Sequence, residues 1–155
     1  MPSFRLPPLS LTRSTELISF ALVHKFDSLK AVPHITAPVL IGHSLDDWDI
    51  PASHSEVLFD AYLDPHLPAY TPPAMGPSAL SAEEWAKLSE AREARREARA
   101  AFIQHESLAK FGEVDEFWVA KNERRVTLVK TLAGGHDRLP LQEGLQDIVK
   151  RKFEL

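Results

Sequence analysis

Two segments of the chain share one pattern, and it limits the possible folds more than any other feature of the sequence. Residues 37–51 (APVLIGHSLDDWDIP) and residues 126–140 (VTLVKTLAGGHDRLP) each open as a short apolar run and end in a polar turn closed by proline. The run at 38–42 has no polar alternation, which is how a strand buried on both faces of a parallel sheet reads. A helix is expected behind each turn. The first runs from about Ala52, just past Pro51, to Leu63, with Val57, Leu58, Ala61 and Tyr62 as its buried face. The second covers about 141–153, with Leu145, Ile148, Val149 and Phe153 inward. Strand, turn and helix in this order point to an α/β architecture. Each turn also carries one group able to handle protons, an aspartate in the first and a histidine in the second.

The remaining segments fill in around that frame. Residues 1–9 are proline-rich and read as irregular. Residues 13–25 read as a helix with Leu17, Phe20, Ala21 and His24 on one face, and 26–32 as a short helical turn ending at Pro33. Residues 65–79 hold five prolines and a glycine, the composition of an extended surface linker. Ser81 and Glu84 then form a capping box, in which hydroxyl and carboxylate satisfy the free amides of a helix start. The helix is expected to run to about Phe111, stopped by Gly112, with Trp85, Leu88, Phe102 and Leu108 as its contacts. Its middle, 92–99, is charged on most faces, so it is well formed by propensity but buries little. The whole of about 65–112 reads as a charged helical insertion lying on the domain, outside its sheet. Residues 115–120 and 125–131 read as two strands joined as a hairpin. About three strands are therefore available, and a parallel sheet that small leaves a long apolar edge uncovered.

Composition narrows the function. A chain of 155 residues fits one domain, here 1–155, and its 44% apolar and 26% charged content is that of an ordinary soluble chain. A net charge of -4 gives no reason to expect a nucleic-acid surface. The absence of cysteine excludes disulfides and thiolate metal sites and fits a reducing compartment, so an intracellular location is favoured. The N-terminus lacks the uninterrupted apolar core of a signal peptide, and no apolar stretch approaches the roughly 20 residues of a membrane helix. The seven histidines show no ligand spacing such as His-x-x-x-His, so ordinary core or surface roles are expected. The Arg-rich stretch 92–99 has the charge to meet anionic lipid heads, but the interleaved Glu93 and Glu97 favour a self-paired solvated face.

With those residues in view, a family resemblance emerges. The segment 38–51 resembles the late strand and acid turn of the α/β-hydrolase superfamily, where an Asp follows the strand shortly before an apolar-Pro step. Gly134, Gly135, His136 and Asp137, followed by a helix, resemble the same family's catalytic His loop. The match is closest to the monoacylglycerol and lysophospholipid lipase branch of the alpha/beta hydrolase domain-containing proteins, which 26–29 (FDSL) and 35–41 (ITAPVLI) also resemble. The resemblance covers about 26–64 and 114–155 and leaves the insertion out. It implies the incomplete C-terminal half of an α/β-hydrolase fold. It puts the catalytic acid at Asp47, with Asp46 as runner-up, and the base at His136. In such triads the His takes the nucleophile's proton and the Asp holds the imidazole in the needed tautomer. Either residue alone is more often structural, an Asp capping local turn amides or a His after Gly-Gly; the two in order, each before a helix, favour the paired reading. The spacing from Asp47 to His136 exceeds the family's usual gap, and the 65–112 segment accounts for the excess. Trp48 and Trp118 are candidates to line an acyl pocket, although Trp more often packs in a core.

The family's nucleophile motif, Gly-x-Ser-x-Gly on a strand-to-helix turn, is missing. Its nearest look-alike is 42–46 (GHSLD), which has Asp where a small residue is needed, and Pro51 follows too soon for a helix. Ser44 is therefore not expected to be the nucleophile. The resemblance implies the C-terminal portion of a serine esterase, inactive alone for want of the Ser and the oxyanion loop, from a product or gene model that starts after the nucleophile. Its parent would act on a small acyl-ester or lipid substrate, with membrane-surface contact as an open role; no cofactor or metal is implied. The alternative is a non-catalytic, hydrolase-like protein that binds a partner or a small apolar ligand. A third option is assembly with a separate chain that supplies the Ser.

Overall fold

A computed structural model describes residues 27–71, 80–119 and 124–153. The expectations for 1–9 and 13–25 lie outside these residues, as does most of the proline-rich linker. The described chain begins with α1, Ser28–Ala31, capped by the Asp27 carboxylate, which accepts from the Lys30 amide at 3.3 Å. It tightens into a 3-10 turn, Val32–His34, where Pro33 sits near the turn's start and its missing N–H leaves no bond unmade. Strand β1, Val39–Ser44, leads to α2, Ser53–Leu63. Helix α3, Ala82–Phe102, precedes strands β2, Gln104–Leu108, β3, Gly112–Val119, and β4, Arg124–Thr131. A single helical turn, α4, Gly135–Arg138, and a 3-10 turn, Leu139–Leu141, connect to α5, Glu143–Phe153. The architecture is mixed α/β, with a four-stranded sheet in the order β1-β4-β3-β2. Strands β1 and β4 run parallel; β3 is antiparallel to both β4 and β2.

The fourth strand corrects the reading of the long helix. Helix α3 begins with the expected capping box, Ser81 and Glu84 bonding reciprocally, but it ends at Phe102, not near Phe111. Ile103 turns extended, and 104–108 pairs along β3. Pairing gives this backbone partners that helix propensity alone does not supply, and the facing pair His105–Asp115 closes it at 2.7 Å. The last part of 65–112 thus lies within the sheet. Gly112 opens β3 and does not stop a helix. At φ +155° it meets β4 so closely that a Cβ there would fall 2.0 Å from the Lys130 carbonyl oxygen.

The expected self-pairing of 92–99 holds only for Arg96, which reaches Glu93. Arg99 bonds Asp60 at 2.7 Å and Arg95 bonds Asp64, so these cations tie α3 to the end of α2.

Helices cover both faces of the sheet. On the α2 face, Phe59, Tyr62 and Leu63 pack with Ile41, Phe117, Val126 and Leu128; the Phe59 and Phe117 rings meet edge-on at 5.2 Å. On the other face, Leu145 and Ile148 of α5 pack with Val114 and Val129. Leu145 and Ile148 are buried as expected, with Val149 and Phe153 half-buried. Of the expected α2 face, Tyr62 is buried and Leu58 and Ala61 pack half-buried against this core, whereas Val57 faces out. Ser55, Phe59, Tyr62 and Leu63 are the buried residues, and Val57 is 53% exposed. The helix is apolar on several sides, and the stripe that carries Phe59, Tyr62 and Leu63 is the one that faces inward.

Candidate active site

Adjacent parallel strands deliver their following turns side by side. Ser44 ends β1 opposite Thr131 at the end of β4, and the Leu45 amide donates to the Thr131 carbonyl at 2.8 Å. The polar turn after β1 and the Gly-Gly turn after β4 therefore meet at one edge of the sheet, where open α/β sheets form their clefts.

Two adjacent carboxylates do different work there. Asp46 accepts the Ser44 hydroxyl at 2.5 Å and the backbone amides of Gly135 and Gly134 at 2.8 and 3.3 Å. The Ser44 hydroxyl, and next the Gly135 amide, hold its carboxyl below the usual carboxylate range. Gly135, at φ +56°, takes a left-handed conformation that aims its amide at that carboxylate. Asp47 points elsewhere. Its Oδ1 accepts the amides of Asp49 and Ile50, both at 2.9 Å, and its Oδ2 lies 3.2 Å from Nδ1 of His136. The Ile50 amide is the largest influence lowering its pKa; burial opposes it, and the Asp49 amide and His136 add to the lowering. The Asp47 side chain is 5% exposed and His136 is 54% exposed.

This geometry fixes a tautomer. An ionised carboxylate only accepts, so Nδ1 of His136 carries the proton and the neutral ring keeps its lone pair at Nε2. A half-exposed imidazole in that tautomer, backed by an anchored carboxylate, is able to accept a proton at Nε2.

The two residues singled out from the sequence, Asp47 and His136, are thus within hydrogen-bond reach, and Asp46 is a tie between the turns. The sequence reading missed that tie. It also missed Gln142, whose side-chain amide donates to the Ala133 carbonyl and braces the Gly-Gly turn. The signal for both was weak: two glycine amides in a tight turn need an acceptor, and a second Asp stood beside the first.

Ser44 is 1% exposed, gives its hydroxyl to Asp46 and is still in strand conformation, with no helix until Ser53. The Trp expectations change as well. Trp48 is 97% exposed, and Trp118 is 47% exposed with the Arg125 guanidinium over its ring at 5.2 Å, so neither lies in a core. Leu45 in the first turn and Leu132 in the second are also exposed, which with Trp48 gives these turns an apolar rim; Leu141 is exposed in the 3-10 turn beyond α4. Among the other described histidines, His66 stacks on Phe102, and its burial lowers its pKa. His43 is buried, its Nε2 without a hydrogen-bond partner among the described residues. No group of three or more His, Asp or Glu able to hold a metal ion occurs among the described residues. No described helix is long and apolar enough to cross a membrane. No family model, curated protein or solved structure matches the chain.

Proposed function

We propose that this chain carries the acid and base of a serine hydrolase of the α/β-hydrolase type, acting on acyl or lipid esters. The observation that carries this reading is the 3.2 Å contact between Asp47 and His136, made by the turns after two adjacent parallel strands. In the proposed reaction, His136 Nε2 takes the proton of a serine hydroxyl as its oxygen attacks the ester carbonyl. The imidazolium faces Asp47, which its two backbone bonds keep ionised. The imidazolium then protonates the leaving alcohol, and water repeats the cycle on the acyl-serine. The attacking hydroxyl is not that of Ser44, which is buried and engaged, and comes from outside the described residues. The four-stranded sheet would be the C-terminal part of the larger family sheet.

The test begins with the transcript upstream of Met1. This reading expects an in-frame strand–Gly-x-Ser-x-Gly–helix, and expression with that segment should give ester hydrolysis. Asp47→Asn should lower kcat by roughly 10⁴ and His136→Ala by roughly 10⁶ in that protein, with little change in KM. Full hydrolysis surviving His136→Ala would refute the assignment. The isolated chain should not react with a serine-directed fluorophosphonate; strong labelling at Ser44 would overturn its exclusion.

A second reading draws on the exposed apolar side chains Leu45, Trp48 and Leu132 in the two turns, with Leu141 exposed beyond them. A surface of this kind suits a hydrolase-like protein that binds a partner or an apolar ligand without turnover. An upstream stop codon and unrelated sequence would favour it.

A further inference from the structure

We infer that the groove between α5 and the β2–β3 turn binds a free single-chain carboxylate, a medium-length fatty-acid anion; this inference does not rest on the catalytic reading. The groove is open to solvent and offers about 550 Å³, a volume within the range of small-molecule sites. Its apolar wall is Leu108, Phe111 and Ile148, continuous with the core on the α5 face. Its polar lining is Asp147, Lys150 and Arg151, so the groove joins apolar and charged surface.

The charges in that lining do not cancel. Lys150 stands 3.8 Å from Asp147, and the next cation along, Lys152, is taken by Glu116 at 2.8 Å. Arg151 lines the groove with no ion pair among the described residues. Among the described residues this guanidinium is left to receive an anion, and its planar fork suits a carboxylate. A small inorganic anion would leave the apolar wall unused, and a neutral amphiphile would leave Arg151 unpaired. Asp147, 69% exposed in the same lining, opposes contact with a flat anionic membrane and favours a single chain entering past it.

The wall also depends on one glycine. A Cβ at Gly144 would fall 2.6 Å from the Phe111 ring, so Phe111 holds its place against α5 only because position 144 has no side chain. Gly144→Ala should therefore displace Phe111 and alter the groove without touching the cation.

The experiment is an NMR titration of the ¹⁵N-labelled full chain with decanoate below its self-association concentration. Decanol and phosphatidylcholine/phosphatidylglycerol vesicles serve as separate arms. The expected result is saturable shifts at Leu108, Phe111, Ile148 and Arg151. Arg151→Gln, on an exposed position, should weaken decanoate roughly tenfold, the loss of one charge-assisted contact, and Arg151→Lys should recover part of it. Decanol should bind more weakly than decanoate. Absence of saturable binding, equal affinity in Arg151→Gln, binding only to vesicles, or shifts centred on the Leu45–Trp48 turn would each overturn the inference.

Discussion

Gly112→Ala tests how closely the sheet is packed beneath the site. A Cβ at this position would lie 2.0 Å from the Lys130 oxygen, 2.8 Å from Thr131 Cα and 2.9 Å from Lys130 C. All three are backbone atoms of β4, so no side chain can swing aside. Relieving the closest contact to even 3.0 Å means separating the strands by about 1 Å, enough to lengthen a backbone hydrogen bond beyond its usual range. The pairing at risk is Gly112 with Thr131 and the 2.8 Å bond from the Leu132 amide to the Phe111 carbonyl. Losing one to two such bonds costs about 1 kcal/mol each. Alanine held at φ +155° adds about 1–2 kcal/mol of strain. The expected destabilisation is roughly 3 kcal/mol, which lowers a urea midpoint by roughly 1–2 M at ordinary slopes. Gly135→Ala is the control. Its φ is +56°, but nothing lies within 4 Å of its Cβ position, so only about 1 kcal/mol of left-handed strain is expected. Urea unfolding followed by circular dichroism measures both. A Gly112→Ala variant within about 0.5 kcal/mol of the parent, or one less damaged than Gly135→Ala, refutes the reasoning.

Further expectations rest on the same structure. Asp46 and Asp47 titrate below the usual carboxylate range, so the unfolded chain binds more protons than the folded one as pH falls below about 4. Their stabilisation is complete above that value and is lost as pH falls through their folded pKa values. Asp46→Asn with Asp47→Asn should flatten the acid limb of a plot of urea midpoint against pH, and an unchanged limb would contradict the assigned hydrogen bonds. Phe117→Ala should cost about 3–5 kcal/mol, because the ring is buried against Phe59 and Phe102. Trp48→Ala, at a 97% exposed position, should stay within about 0.5 kcal/mol. Thermal melts of the pair check the contrast, and a large loss from Trp48→Ala would mean that the rim is covered.

Elements whose pattern follows from burial were legible in the sequence. Strand β1 is apolar without alternation because helices cover both faces, and α5 shows its buried stripe at Leu145 and Ile148. The β3–β4 hairpin and the Ser81 cap were legible for equally local reasons. Strand β2 was not. Gln104, His105, Glu106 and Ser107 are exposed and carry no apolar periodicity, so only pairing with β3 makes them a strand. The pairing of Asp47 with His136 was legible from the flanking turns. The separate use of Asp46 was not, because it depends on where the Gly134 and Gly135 amides point. The exposure of Trp48 was equally hidden, since a turn has no period from which to infer a face.

The connection between β1 and β4 has a consequence for how the chain matures. Strands β2, β3 and β4 follow one another closely and pair as neighbours, whereas Asp46 reaches Gly134 across 88 positions. Closing so long a segment comes late and slowly. Until it closes, the flank of β4 that will receive β1 is open, and newly made chains are most prone to adhere to one another in that interval. The Asp47–His136 contact is then among the last features to assemble, so a molecule in which it has formed is also one whose folding has been completed.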